Sequence, residues 1–196
     1  MLLHKIKDFH IILASGSPRR KELLASLGLK FDLHTATETD ESYPRDLKDR
    51  QIAAYLARKK SDAYPSELGS HEILITADTI VVMDGKVMGK PDSLENARTT
   101  LRALSGHSHY VYTGICLRTV HKTRVFVSRT EVVFGNISED EIDYYIRHYK
   151  PYDKAGAYGI QEWIGYVGVK EIRGSYFNVM GLPIQRLYRE LEKFIK

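Results

Sequence analysis

Two short stretches hold the side chains best suited to chemistry. The first is Ala14-Ser15-Gly16-Ser17-Pro18-Arg19-Arg20. Small residues let a backbone approach a ligand closely. A helix opening at Ser17-Pro18 would aim unpaired N–H groups and partial positive charge at the same place. Two adjacent arginines add planar donors that match phosphate oxygens. Together they specify an anion site, and phosphate is the anion they fit best. The plainer alternative is a capped helix with surface arginines. The Gly-Lys-Ser/Thr ending of a Walker A loop is missing. The second stretch is Ala77-Asp78-Thr79, inside the apolar run Ile73 to Met83. An ionised carboxylate is costly to bury unless it is paired or binds a cation. Asp78 is therefore expected to hold a divalent metal, or to orient and deprotonate a water. The competing reading is a salt-bridged Asp at a strand end.

Three weaker features accompany these. Lys60 and Lys90 are solvated surface lysines by default, and matter only if they share a location with Asp78 and the arginines. The segment Asp153 to Gln161 places small residues around Tyr158, and Gln161 could read a base edge with its paired donor and acceptor. Gly174 to Pro183 is a glycine-bounded loop leading into a helix start. The eight histidines show no metal-ligand spacing, and Cys116, the single cysteine, lies in an apolar strand with no paired histidine near it.

The elements that must position these residues alternate strand and helix. Ile11–Ala14 reads as a strand. The following helix starts at Ser17-Pro18 and stops at Gly28. Residues Thr35 to Pro44 form an acid-rich loop, and a second helix is expected over Leu47 to Ala63. Ile73 to Met83 is too apolar on both faces for a surface strand and belongs in the middle of a sheet. Asp84-Gly85 then turns a hairpin into Lys86–Met88. Ser93 caps a helix bearing Leu94, Ala97, Leu101 and Leu104. Two long strands follow, Ser108–Thr119 and Arg124–Phe134. Ser138 with Glu141 makes a capping box for a helix bearing Ile142, Tyr145, Ile146 and Tyr149. Pro151 to Met180 is expected to be irregular, and Pro183 opens a last helix. The architecture these imply is one α/β unit over residues 1–196, with a mixed sheet and a cleft between two lobes.

Composition sets bounds on function. The chain has 196 residues, 29 basic and 25 acidic, for a net charge of +4. A hydrophobic content of 43% with 28% charged residues suits a globular chain and excludes a disordered one. A chain this long needs no disulfide or structural metal to build its core. No stretch approaches the roughly 18 apolar residues of a membrane helix, and Asp8 and His10 interrupt any signal peptide. A cytoplasmic location is expected. Nucleic acid is not the expected partner, because the basic residues are dispersed and no RNA-binding aromatic motif stands out.

Taken in order, the motifs resemble the Maf family. Ile12 to Arg20 with Glu22-Leu23-Leu24 is similar to its opening motif. Ala77-Asp78-Thr79-Ile80-Val81 followed by Gly89-Lys90-Pro91 is similar to its central one. Leu104 to His107, Tyr112-Thr113-Gly114, Lys154 to Gln161 and Gly174 to Pro183 complete the series. The resemblance implies an inosine triphosphate pyrophosphatase-like fold and a nucleoside triphosphate pyrophosphatase that uses Mg²⁺, Mn²⁺ or Co²⁺. It also implies a cytosolic protein, and homodimers are frequent in the family. The Lys-Ala-Gly-Ala-Tyr-Gly-Ile-Gln form resembles the branch that prefers dTTP and UTP over the sister branch acting on 7-methyl-GTP. By position, Asp78 matches the proton acceptor. Arg19, Thr79 and Gln161 match specificity positions. Ser15, Arg20, Lys60 and Lys90 match phosphate-handling residues. The family also has an acid in the loop before the second helix, where Glu38, Asp40 and Glu41 compete, and Asp40 is the expected metal ligand beside Asp78. Water would attack the α-phosphorus to give the monophosphate and pyrophosphate. The rival functions are a nucleic-acid-binding module and a non-enzymatic regulator of cell division.

Overall fold

A computed structural model describes residues 1–35 and 40–196. The chain runs α1 (Leu2–Lys5), β1 (His10–Ala14), α2 (Pro18–Ala25), β2 (Phe31–His34), α3 (Arg50–Asp62), β3 (Glu72–Met83), β4 (Lys86–Met88), α4 (Leu94–Leu104), β5 (Ser108–Arg118), β6 (Thr123–Phe134), α5 (Glu139–Tyr149), α6 (Trp163–Gly168), β7 (Val169–Arg173), α7 (Tyr176–Val179) and α8 (Ile184–Phe194), with 3-10 turns at Pro151–Asp153 and Ala155–Ala157. The strands form a single sheet in the order β2-β1-β3-β5-β6-β7, with β4 also paired to β3. β1 is parallel to β2 and β3, whereas β3, β5, β6 and β7 are successively antiparallel. The mixed α/β architecture expected from the sequence is therefore present.

β3 is central, as its apolar run requires. Nine of its twelve residues are buried, Asp78 among them. Helices cover both of its faces. Leu13, Ile75 and Leu117 pack with Leu24 of α2 and Leu187 of α8. Val81 and Val111 pack with Leu101 of α4 and Ile142 and Tyr145 of α5. α3 sets Ile52 and Leu56 against Ile80, Val82 and Tyr112. The helix starts follow their caps. Ser17 accepts from the Arg20 N–H with Pro18 at the first helical position, and both halves of the Ser138–Glu141 capping box are formed. Asp84 and Gly85 both take positive φ (50° and 72°), the geometry that a two-residue hairpin of this hand demands.

Several expectations need correction. α3 begins at Arg50 rather than Leu47, because Asp49 before it takes φ 40° and cannot continue a helix. Pro151 to Met180 is not irregular: it holds two 3-10 turns, two short helices and β7. That strand escaped notice because it is a sheet edge. Only Val169 and Ile172 are partly buried, and Lys170, Glu171 and Arg173 face solvent. β2 at the opposite edge is also short and has no buried residue. Leu94 and Tyr149, placed on buried helix faces by spacing, are exposed at the two helix ends.

At one end of the sheet, His10 bridges two strands. Its Nδ1 lies 3.2 Å from Glu72 and its Nε2 lies 2.7 Å from Asp32. The Glu72 and Asp32 hydrogen bonds raise its pKa above the ordinary 6.5. A group whose folded pKa is raised contributes stability below its unfolded pKa, and that contribution fades as pH rises through the folded value. His10→Gln should therefore lower Tm by about 1–3 °C at pH 5.5 and change it little at pH 8.5. Equal shifts at both pH values would show that the imidazolium contributes nothing.

Candidate active site

The two stretches singled out by residue type meet in one cleft of about 760 Å³. Ser15, Arg19, Arg20, Lys60, Asp78, Thr79, Lys90 and Gln161 all line it. Lys60 and Lys90 thus share the location that gives them meaning.

The first wall is the β1–α2 turn. Ser15 follows directly on β1, and its Oγ accepts from the Ser17 N–H at 3.2 Å. Arg20 is held along one edge. Its Nε donates to the Gly181 carbonyl at 2.9 Å and its Nη2 to Thr79 Oγ1 at 3.0 Å. Burial lowers the pKa of this guanidinium, and the nearby Asp78 charge works against that shift. Arg19 Nη1 donates to Asp153 at 3.2 Å, across the mouth of the cleft.

The second wall depends on how closely α3 approaches the sheet. Gly114 lies opposite Asp78 in the β3–β5 register. A Cβ there would sit 2.0 Å from the Ala53 carbonyl oxygen, so only glycine admits the helix at this depth. One turn on, the buried Thr76 hydroxyl donates to the Ala57 carbonyl at 2.7 Å. These two contacts seat α3 so that Lys60 reaches Asp78, whose Oδ1 accepts from Lys60 Nζ. Asp78 is only 5% exposed, and this ammonium supplies the partner that its burial requires.

The acid that joins them is Glu41. Lys60 Nζ donates to Glu41 Oε1 at 3.2 Å, and Lys90 Nζ to both Glu41 oxygens at 2.7 and 2.8 Å. Burial pushes the Glu41 pKa up, but Lys90 and Lys60 together hold it below the ordinary value. Asp40, the expected ligand, does not line the cleft. It accepts from Ser42 Oγ at 2.6 Å and from Lys59 Nζ at 2.9 Å, which hold its carboxyl well below the usual carboxylate range. The reason lies in α3. Consecutive helical residues project about 100° apart. Lys59 takes Asp40 and Lys60 takes Glu41, and only the second pair faces the cleft. Glu38 lies outside the described residues.

The third wall carries Gln161. Its Oε1 is buried and has no partner among the described residues. The loop around it is clamped. Tyr145 donates to Glu162 and accepts from the Gly159 N–H at 3.0 Å, while Lys154, also lining the cleft, pairs with Glu162 at 3.1 Å and Asp153 at 2.7 Å. The sequence reading missed Lys154 as a site residue. Its signal was a lysine beside an acid in a glycine-rich segment.

The donors suit a hard divalent cation. The carboxylates of Glu41 and Asp78 reach the same ammonium, so they converge. Among the described residues no group of three His, Cys, Asp or Glu side chains could hold a metal. Mg²⁺ commonly takes one or two carboxylates and completes its shell with substrate phosphates and water, and the pair fits that pattern.

A family model described as "Maf-like protein" matches residues 10–194. The chain is 56% identical to the dTTP/UTP pyrophosphatase of Phocaeicola vulgatus over 98% of this chain and 100% of that protein. It is 54% identical to the protein of the same name from Bacteroides thetaiotaomicron, over the same shares. Among solved structures, the Ham1 protein of Staphylococcus aureus matches with a TM-score of 0.51 at 14% identity, covering 94% of this chain and 99% of that one, a likeness of fold alone. No helix among the described residues is long and apolar enough to cross a membrane.

Proposed function

The chain belongs to the Maf-like protein family, and from that premise we propose that it hydrolyses dTTP and UTP to the monophosphate and pyrophosphate. The observation that carries this reading is a buried carboxylate sharing one cleft with five cations: Asp78 with Arg19, Arg20, Lys60, Lys90 and Lys154. Residues 1–196 act as one domain in this reading, in the cytoplasm and as a homodimer.

The reaction needs a nucleophile brought to an anionic phosphorus. A water oxygen forms a bond to the α-phosphorus, and the bond from that phosphorus to its bridging oxygen breaks. Pyrophosphate leaves with the electron pair, and the water proton passes to the Asp78 carboxylate. Arg20, Lys60, Lys90 and the Gly16 N–H of the Ser15–Ser17 turn offset the charge that builds on the leaving group. Lys60 and Lys90 share Glu41 in the free protein, and they exchange it for phosphate oxygens when substrate binds. Asp78 and Glu41 would hold a divalent cation, which when bound adds positive charge at the phosphate oxygens.

Base choice is assigned to Gln161, with Arg19 and Thr79 as the neighbouring specificity positions. Uracil and thymine present an N–H donor beside carbonyl acceptors, and a carboxamide complements that pair. The buried, unpartnered Gln161 Oε1 supports this role. A pyrophosphate-release screen over natural and modified triphosphates, with Mg²⁺, Mn²⁺ or Co²⁺, tests it. UTP and dTTP should lead in kcat/KM, and Gln161→Ala should lower that lead by about tenfold or more. Faster cleavage of 7-methyl-GTP or ITP would reassign the substrate.

A further inference from the structure

The glycine-bounded loop Gly174 to Pro183 has no part in the reaction as described, yet it closes on Arg20 by two routes. Both end at one atom, the backbone carbonyl oxygen of Asn178. On the first route Arg20 Nε donates to the Gly181 carbonyl at 2.9 Å, and the Gly181 N–H donates to the Asn178 carbonyl at 3.1 Å. On the second, Arg20 Nη2 donates to Thr79 Oγ1 at 3.0 Å, Thr79 and Thr113 hydroxyls meet at 3.0 Å, and Thr113 Oγ1 donates to the Asn178 carbonyl at 2.9 Å.

The hydrogens on the second route can point only one way. A carbonyl has no proton, so the single hydroxyl hydrogen of Thr113 is committed to Asn178. Thr113 can then only accept from Thr79, and Thr79 spends its own hydrogen there. Thr79 therefore offers Arg20 and the cleft lone pairs alone. Donors run in one direction from Arg20 through both threonines, an arrangement in which each bond polarises the next. The terminus is fixed. Asn178 is fully buried, and its Nδ2 donates to the Val111 carbonyl at 3.1 Å and to Thr130 Oγ1 at 3.0 Å. The glycine at 181 is needed too, since it takes φ 109°, a backbone conformation that residues with a side chain rarely adopt. Valine would suit β3 and β5 equally well by strand preference. A hydroxyl at position 113, fully buried, has this bonding as its reason.

We propose that Thr113 is a positioning residue for Arg20: its hydroxyl, anchored on the Asn178 carbonyl, fixes the polarity of Thr79 and so turns the opposite edge of the guanidinium toward the polyphosphate. Arg20 Nη1 has no protein partner among the described residues and is the group so presented. The proposal rests on the phosphate-handling role of Arg20 given above.

The test is a cycle of full-length proteins: parent, Thr113→Val, Arg20→Met and the double variant, with Thr113→Ser alongside. Two readouts are taken, pyrophosphate release from UTP and calorimetric binding of inorganic tripolyphosphate. Thr113→Val should weaken both by about tenfold, the loss expected of one misdirected charge-assisted hydrogen bond. Thr113→Ser should restore both. In the Arg20→Met background Thr113→Val should have no further effect, an outcome that a merely structural role would not produce. Parent-like behaviour of Thr113→Val, an equal loss in both backgrounds, or no rescue by serine would overturn the proposal. If Thr113→Val does not fold, Thr79→Val breaks the same route and is run through the same cycle. A parent protein that binds tripolyphosphate but releases no pyrophosphate from UTP would sink the assigned reaction, and the binding readout would still decide the role of Thr113.

Discussion

Asp78→Asn will fold like the parent chain and lose at least about a hundredfold in turnover, some 3 kcal/mol in the barrier. The amide matches the carboxylate in shape, and it can take neither a proton from water nor a full share of a cation's charge. Folding survives because Lys60, the partner of Asp78, keeps Glu41 at 3.2 Å and is not left bare. Glu41→Gln should also lower the rate, whereas Asp40→Asn, which disturbs only exposed contacts to Lys59 and Ser42 outside the cleft, should leave it near the parent value. Steady-state pyrophosphate release, with circular dichroism to establish folding, makes the comparison. A parent-like rate in Asp78→Asn removes that carboxylate from the mechanism.

The largest expected effect on stability comes from a residue with no side chain. In Gly114→Ala the new methyl meets the Ala53 carbonyl oxygen at 2.0 Å and its carbon at 2.5 Å. Neither is the end of a flexible side chain, so α3 must shift as a body. Its contacts with Ile80, Val82 and Tyr112 and the Thr76–Ala57 hydrogen bond would loosen together. The cost should be at least about 3 kcal/mol, a fall in Tm of about 6–12 °C for a chain of this size. Whatever remains folded should also be slow, because Lys60 rides on the displaced helix. A thermal melt that coincides with the parent's would show that α3 can sit further from β5 at no cost.

The sequence disclosed those parts of the fold that depend on local rules. The Ser17-Pro18 and Ser138–Glu141 caps, the Asp84-Gly85 turn and the apolar run of β3 each announce themselves within a few residues. Edge strands do not. β2 and β7 are four and five residues long and contain no buried residue, so they carry no burial pattern to detect. The site divides in the same way. Asp78 was conspicuous because a carboxylate is out of place in an apolar strand, and the arginines because they follow a helix cap. The choice between Asp40 and Glu41 lay beyond the sequence, since it depends on which of two adjacent lysines on α3 faces inward. The link from Gly174–Pro183 to Arg20 joins residues from 34 to 161 positions apart at each step between elements, and no spacing rule reaches that far.

The ion pair at the mouth of the cleft has a consequence for how a polyanion enters. Arg19 is 25% exposed and Asp153 is 60% exposed at the side chain. A pair that wet is worth under about 1 kcal/mol, so giving it up would weaken an arriving nucleotide by no more than about fivefold. The guanidinium is kept extended while idle yet changes partner at small expense. Added salt, which loosens that contact still further, would make the entrance compliant before it disturbed the floor, where Lys60 and Asp78 are shielded from bulk ions.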